Sequence, residues 1–101
     1  MKGTISGIAV EWDDRKNEIN IRKHGISFAT AALVFADEER IEYLDAVHSA
    51  EEDRYIVLGM VHQVLFVVYT DRGDASRLIS ARLATPRERR IYFGDYENDS
   101  L

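Results

Sequence analysis

Arginine is concentrated in one stretch towards the C-terminal end of the chain. Between residues 71 and 90 there are six arginines and three acidic residues, a local charge of about +3. The planar guanidinium group donates two parallel hydrogen bonds to a phosphate and stays charged at any ordinary pH. The stretch therefore predicts an anion-binding surface, and its arginines are Arg72, Arg77, Arg82, Arg87, Arg89 and Arg90.

Not all of these arginines require a ligand. Arg87 and Arg90 fall in a predicted terminal helix, where a solvated face that complements the helix dipole explains them equally well. Arg82 lies in a predicted strand, in alternation with Leu78 and Ser80. Because successive strand residues point to opposite faces, we expect these three on one face of the sheet and Ile79 and Ala81 on the other.

A second polar cluster is predicted on the first helix. Lys16, Asn20, Lys23 and His24 recur at i, i+4, i+7 and i+8, which places them along one helical face. A histidine beside a lysine at a helix end can supply a cation for an anionic ligand and a proton-transfer group near neutral pH. A purely structural role for His24 is the alternative.

The chain as a whole is acidic, with a net charge of -5, and its acidic residues are also segregated. Residues 36–53 contain eight acids and one arginine, a local charge of about -7. His48 with Asp45 and Glu52 has the residue types of a metal site, but acidic loops are usually only solvated. We therefore expect neither a metal ion nor a cofactor.

Local patterns predict an α+β domain whose elements follow the order β-α-α-β-β-β-β-α. Helix signals are an aspartate cap at Asp13 or Asp14, a glycine stop at Gly25, and a capping box from Thr85 to Glu88. The later strands should form consecutive antiparallel pairs. The predicted strands are 7–12, a run from 41, 55–60, 64–70 and 77–83, and the predicted helices are 14–22, 28–35 and 86–93.

The 101 residues suit a single domain, which we place at residues 1–93, followed by an acidic, frayed tail at 94–101. The absence of cysteine excludes a disulfide framework and favours a cytoplasmic location. The longest apolar run, 64–69, is too short to span a bilayer.

Over roughly residues 8–93 the sequence resembles the BrnT family of ribonuclease toxins from bacterial type II toxin–antitoxin systems. The combination of Lys23-His24-Gly25 with Ile79-Ser80-Ala81-Arg82 is the most specific part of the resemblance. Further matching segments are Glu11-Trp12-Asp13, Ile26-Ser27-Phe28, Val34-Phe35, Asp37, Asp45, His48-Ser49, Glu52-Asp53-Arg54-Tyr55, Gly59, Val67-Val68-Tyr69-Thr70, Arg72 and Glu88-Arg89.

The resemblance implies a RelE-like fold and a metal-independent endoribonuclease that cleaves RNA and inhibits translation. It also implies neutralisation by a BrnA-like antitoxin with a ribbon-helix-helix DNA-binding region, through which the pair would bind operator DNA. RNA cleavage without a metal requires a base, cations around the phosphate and an acid.

On this resemblance we expect catalysis from Arg72 and Arg82 as phosphate ligands, with Lys23 or His24 as the proton-transfer group. Further RNA-binding residues would be Arg54, Arg77, Ser80 and Arg89. A protein that uses the same arginine face only to bind a partner, or to act as a co-repressor subunit without cleaving RNA, is the alternative.

Overall fold

The computed structural model describes residues 1–94 as six strands in a single sheet, with helices packed against it. The strands lie in the order β1-β2-β6-β5-β4-β3. They are β1 (Lys2–Ile5), β2 (Ile8–Glu11), β3 (Ile41–Leu44), β4 (Arg54–Val61), β5 (Gln63–Arg72) and β6 (Ala75–Leu83). The helices are α1 (Asp14–His24), α2 (Phe28–Ala31) and α3 (Pro86–Phe93). The predicted α+β class is confirmed.

The four later strands form the predicted antiparallel series, from β3 through β4 and β5 to β6. His62, with a φ of 63°, makes the turn between β4 and β5. Gly73, with a φ of 62°, lies in the turn between β5 and β6, as the sequence predicts. These long paired strands give the sheet a rigid centre.

The predicted element order is wrong at the N-terminus, because a strand precedes the one expected there. β1 pairs with β2 as an antiparallel hairpin, and β2 then pairs in parallel with the start of β6. Three of the four β1 residues are exposed. A short, exposed strand containing lysine and glycine has no alternating pattern to reveal it.

The predicted helix ends are confirmed for α1. The Asp13 carboxylate accepts a hydrogen bond from the Lys16 amide at the start of the helix. Gly25, with a φ of 72°, closes it by donating its amide to the Ile21 carbonyl. The second predicted helix is divided: α2 forms one turn and continues as a 3₁₀ turn, Ala32–Ala36.

The main hydrophobic cluster lies on one face of the sheet, beneath α1, α2 and the 3₁₀ turn. Phe28, Val34, Val57 and Val67 are fully buried there. Gly59 is required at its position in β4, because a Cβ atom on it would lie 2.7 Å from the Cβ of Val34.

The opposite face of the sheet contains most of the arginines predicted to bind RNA. Cross-strand pairing places Arg54 beside Thr70 and Thr70 beside Arg77, and it places Phe66 beside Arg82. We call this surface the arginine face and define it by five residues: Arg54, Arg72, Arg77, Ser80 and Arg82.

A bulge in β6 corrects one prediction about this face. Val68 pairs with Ser80 but Tyr69 pairs with Leu78, so Ile79 is the extra residue. An extra residue reverses the alternation that follows it. Leu78 and Ala81 therefore both belong to the core, whereas Ser80 and Arg82 share the arginine face as predicted.

The last helix begins with the predicted capping box. The Glu88 amide donates to the Thr85 hydroxyl, and the Thr85 amide donates to the Glu88 carboxylate. The predicted acidic tail lies, beyond Gly94, outside the described residues. Among residues 1–94 no helix has the length and apolar character needed to cross a membrane.

Candidate nucleic-acid interface

Three arginines cluster at the end of the arginine face next to the β5–β6 turn. Arg54 and Arg77 flank Thr70 on neighbouring strands, so their Cα atoms are about 10 Å apart. Arg72 pairs with Ala75 at the turn itself, on the same face. We call Arg54, Arg72 and Arg77 the arginine end of the sheet; their spacing suits neighbouring phosphates of an RNA strand.

The three arginines differ in their ionic partners. A short ion pair of 2.6 Å joins the Arg77 guanidinium to the Glu11 carboxylate. The pair between Arg72 and Glu52 is longer, 3.4 Å, and exposed. Arg54 is half-buried and makes no ion pair with any carboxylate of residues 1–94. Arg54 is therefore the member of this cluster whose charge is least compensated.

Arg82 lies at the other end of the same face. Its guanidinium makes two hydrogen bonds to the Glu88 carboxylate, 2.8 and 2.9 Å, and lies 3.8 Å from the centre of the Phe66 ring. Arg72 pairs across the strands with Ala75, which lies seven residues before Arg82 in β6. The two arginines are therefore roughly 20 Å apart. The structure does not bring these two predicted phosphate ligands to one phosphate.

Hydrogen bonding fixes the charges of the Arg82–Glu88 pair. The hydrogen bonds that Arg82 donates to the Glu88 carboxylate raise the pKa of Arg82 above its ordinary value. Burial acts to raise the pKa of Glu88, but hydrogen bonds from Arg82 and Thr85 outweigh it and lower that pKa. Both groups are charged at neutral pH, so Arg82 helps to hold α3 against the sheet.

Lys23 and His24 meet Ser80 on another part of the surface. β2 pairs with β6 only as far as Arg77, so the edge of β6 beyond that point faces α1 instead. A cavity of about 150 Å³ lies between them. We call it the helix pocket; its polar lining residues are Lys16, Asn20, Lys23, His24 and Ser80.

Asn20 has a structural role in this pocket, contrary to its predicted place on an exposed polar stripe. It is only 5% exposed. Its side-chain amide donates to the carbonyls of Ile26 and Ala81, and its oxygen accepts from the Ala81 amide. Asn20 thus takes the place of the missing strand at the edge of β6 and fixes α1 there.

Two further cations on α1 were missed by the sequence analysis. Arg15 and Arg22 line a neighbouring cavity of about 410 Å³ together with Ile19 and Lys23. Neither arginine pairs with a carboxylate in the described part of the chain. Their spacing of seven residues, which places them on one face of the helix, is the signal that could have revealed them.

Arg89 is separate from both groups. It lies on α3 and lines a cavity of about 160 Å³ at the β4–β5 turn with Met60, His62 and Phe93. Close by, Tyr92 donates a hydrogen bond to Asp37, which also accepts from the Met60 amide. Burial acts to raise the pKa of Asp37, but these hydrogen bonds lower it, while burial and the bond to Asp37 raise the pKa of Tyr92 to about 12.

His48 and Asp45 form a pair whose residue types suggested, from the sequence, at most a metal site. The His48 Nδ1 atom lies 2.9 Å from the Asp45 carboxylate. His48 also lines a surface cavity of about 220 Å³ together with Glu51, Glu52 and Arg54. The spacing of three residues between Asp45 and His48 is the sequence signal for such a contact.

Comparison with known proteins agrees with the resemblance. The family model described as the ribonuclease toxin BrnT of type II toxin–antitoxin systems matches residues 12–88. A crystal structure of the Brucella abortus ribonuclease toxin BrnT has a similar fold, with a TM-score of 0.57 and 23% sequence identity. The match covers 82% of this chain and 99% of that one. A search of curated proteins found no match. The family model matches more than half of the length of this chain. The chain therefore belongs to the BrnT family of ribonuclease toxins.

Proposed function

We propose that this protein is a metal-independent endoribonuclease that cleaves RNA and thereby inhibits translation in the cytoplasm. The observation that carries the proposal is the arginine end, where three guanidinium groups share one face of a rigid sheet. Cations held in fixed positions stabilise the negative charge that builds on a phosphate during cleavage. The sheet provides that fixed geometry without a metal ion.

The helix pocket would extend the RNA-binding surface. Lys16, Lys23 and His24 border Ser80, which also belongs to the arginine face. An RNA strand in contact with both regions would pass from the arginine end to α1. Phosphate contacts of this kind make binding weaken as salt rises.

We expect Arg82 both to hold α3 against the sheet and to bind a phosphate. Three guanidinium hydrogen bonds already join it to Glu88 and to the Leu83 carbonyl. Arginine has five N–H donors, so two remain for a phosphate. Arg89 would contact RNA only where the strand extends to the β4–β5 turn.

The partner we propose is a BrnA-like antitoxin with a ribbon-helix-helix DNA-binding region. Support comes from the family, whose members are toxins of type II toxin–antitoxin systems. An antitoxin that covers the arginine end would neutralise the toxin, and it would connect the complex to operator DNA.

One observation favours the alternative, a binding module that cleaves nothing. Arg72, Arg77 and Arg82 each pair with a carboxylate. A phosphate would have to compete with those partners, whereas a protein partner could insert among them.

Expression of the chain alone in a bacterial host separates the two functions. We expect growth arrest and fragmented total RNA with the wild type, and neither with Arg77→Ala. Glu11→Ala is the matched control, since it breaks the ion pair of Arg77 but leaves the cation in place. Arrest by Glu11→Ala and not by Arg77→Ala would assign the effect to the cation. A folded wild type that neither arrests growth nor cleaves RNA would favour the binding module.

A further inference from the structure

We propose that His48, oriented by Asp45, is the proton-transfer group of the ribonuclease, in place of Lys23 or His24. This inference rests on the proposed function and names a catalytic residue for it. Its basis is the position of an oriented imidazole next to Arg54, the arginine whose charge is least compensated.

The chain holds His48 and Arg54 side by side through its backbone. The Asp45 amide donates to the Arg54 carbonyl at 2.8 Å. The Arg54 amide donates to the Ser49 hydroxyl, which itself donates to the Asp45 carbonyl. These three bonds fix the segment that carries Asp45 and His48 against the first residue of β4.

The imidazole is both oriented and accessible. Asp45 is mostly buried, with 15% of its side chain exposed, and it contacts Nδ1 of His48. The His48 side chain is 66% exposed. The contact at Nδ1 leaves Nε2 as the atom that can exchange a proton with a substrate. A carboxylate in this position selects the tautomer and stabilises the imidazolium that forms.

His24 lacks these features. Within residues 1–94 its ring makes no side-chain hydrogen bond, and no carboxylate pairs with it. The helix pocket lies next to β6, whereas His48 follows β3, three strands away in the sheet. Neighbouring strands are about 4.8 Å apart, so β6 and β3 are separated by about 14 Å. We therefore place the two histidines at different phosphates of the RNA. The helix pocket then binds the RNA strand beyond the scissile bond.

In the proposed step His48 acts as the general base, and water supplies the proton of the leaving group. Nε2 of His48 removes the proton of the RNA 2′-hydroxyl as that oxygen bonds to phosphorus. The bond from phosphorus to the 5′-oxygen breaks, and this oxygen takes a proton from water; the hydroxide that remains accepts the proton held by His48. The products are a 2′,3′-cyclic phosphate and a 5′-hydroxyl end.

Arg54 has to attract the phosphate against the negative charges near His48. Glu51 and Glu52 border the same cavity and repel a phosphate, although Glu52 is paired with Arg72. Arg54 is the one cation among residues 1–94 that lines this cavity with His48. We therefore expect the scissile phosphate to lie between His48 and Arg54.

Steady-state kinetics on a short fluorogenic RNA, with protein from cell-free synthesis, tests the assignment. Removal of a general base usually costs 10²- to 10⁴-fold. We expect His48→Ala to lower kcat by about 10²-fold or more with KM little changed, and His24→Ala to raise KM with kcat retained. His62→Asn is the control, because asparagine tolerates the positive φ of that exposed turn. Loss of kcat in His24→Ala with full activity in His48→Ala would overturn the inference.

Chemical rescue separates catalysis from folding. Added imidazole should restore part of the kcat of His48→Ala, and should have no such effect on His24→Ala. Asp45→Asn should lower kcat with KM little changed, because a neutral amide supports the imidazolium that forms in the step less well than the carboxylate does. A lowered melting temperature of His48→Ala without rescue would make His48 structural and would overturn the inference. An inactive wild type would instead refute the proposed ribonuclease function.

Discussion

The arginine end and the helix pocket hold their cations by different physical means. Strand pairing fixes Arg54 and Arg77, and Glu11 further restrains Arg77. The cations of the helix pocket extend from one helix, and Lys23 and His24 are exposed there. Rigid groups suit transition-state stabilisation, whereas flexible exposed cations suit binding along a phosphate backbone. The difference favours the proposed division, in which the sheet performs catalysis and the helix contributes affinity.

Arg54→Gln tests that division most strongly. We expect kcat/KM for RNA cleavage to fall about 10²- to 10³-fold, which is the usual cost of removing one fixed group that stabilises the transition state. The unfolding free energy should change by less than about 0.5 kcal/mol, because no ion pair is broken. Arg87→Gln, an exposed arginine on α3, is the matched control. An equal loss in both variants would mean that general charge, rather than position, governs activity.

Asn20→Ala should have the largest effect on stability. It removes three hydrogen bonds and leaves the Ala81 amide and carbonyl without their partner at the edge of β6. Unsatisfied buried groups cost about 1–3 kcal/mol each, so we expect a loss of roughly 2–4 kcal/mol in a urea unfolding experiment. Glu18→Ala, exposed on the same helix, is the control. A loss below about 1 kcal/mol would show that α1 is held by its apolar contacts alone.

Asn20 also shows where sequence reasoning ends. The caps at Asp13, Gly25 and Thr85 could be predicted because each depends on residues a few positions away. The burial of Asn20 depends on β2 ending opposite Arg77, which is a long-range feature of the sheet. Periodicity alone placed it with the exposed cations.

The candidate site was predictable in the same partial way. Residue types indicated arginines that bind phosphate, and the register brings Arg54, Arg72 and Arg77 together. The distance between Arg72 and Arg82 could not be predicted, because it depends on which ends of β5 and β6 meet. Likewise, the contact between Asp45 and His48 indicates a proton-transfer group only because the structure places Arg54 beside it. The sequence does not show that Arg54 lies there.

The pH dependence of stability probes the Arg82–Glu88 ion pair at the other end of the arginine face. The pKa of Glu88 is lowered in the folded protein from its ordinary value of 4.5. A lowered pKa means that the folded state binds the proton less readily than the unfolded state. The ionised carboxylate therefore stabilises the fold above about pH 4.5, and this contribution disappears as the pH falls through the folded-state pKa.

Glu88→Gln should accordingly lower the unfolding free energy by roughly 1 kcal/mol at neutral pH, because the Arg82 side chain is partly exposed and the pair is partly screened. The difference from the wild type should shrink on acidification. Asp37, whose pKa is also lowered, remains in both proteins and serves as the internal control. A difference that stays constant down to pH 3 would show that the weakened helix cap, and not the charge, is responsible.

The smallest expected effect is on the salt dependence of RNA binding, which distinguishes a phosphate ligand from a catalytic base. The slope of log K against log salt falls by about one for each phosphate that the protein no longer neutralises. Lys23→Gln should reduce this slope for a catalytically inactive protein, such as the His48→Ala background, and Glu18→Gln should not. If His48→Ala alone reduced the slope as much as Lys23→Gln does, His48 would be a phosphate ligand rather than a base. The helix pocket would then differ from the arginine end only in affinity. The proposal that the sheet performs catalysis and the helix binds RNA would be wrong.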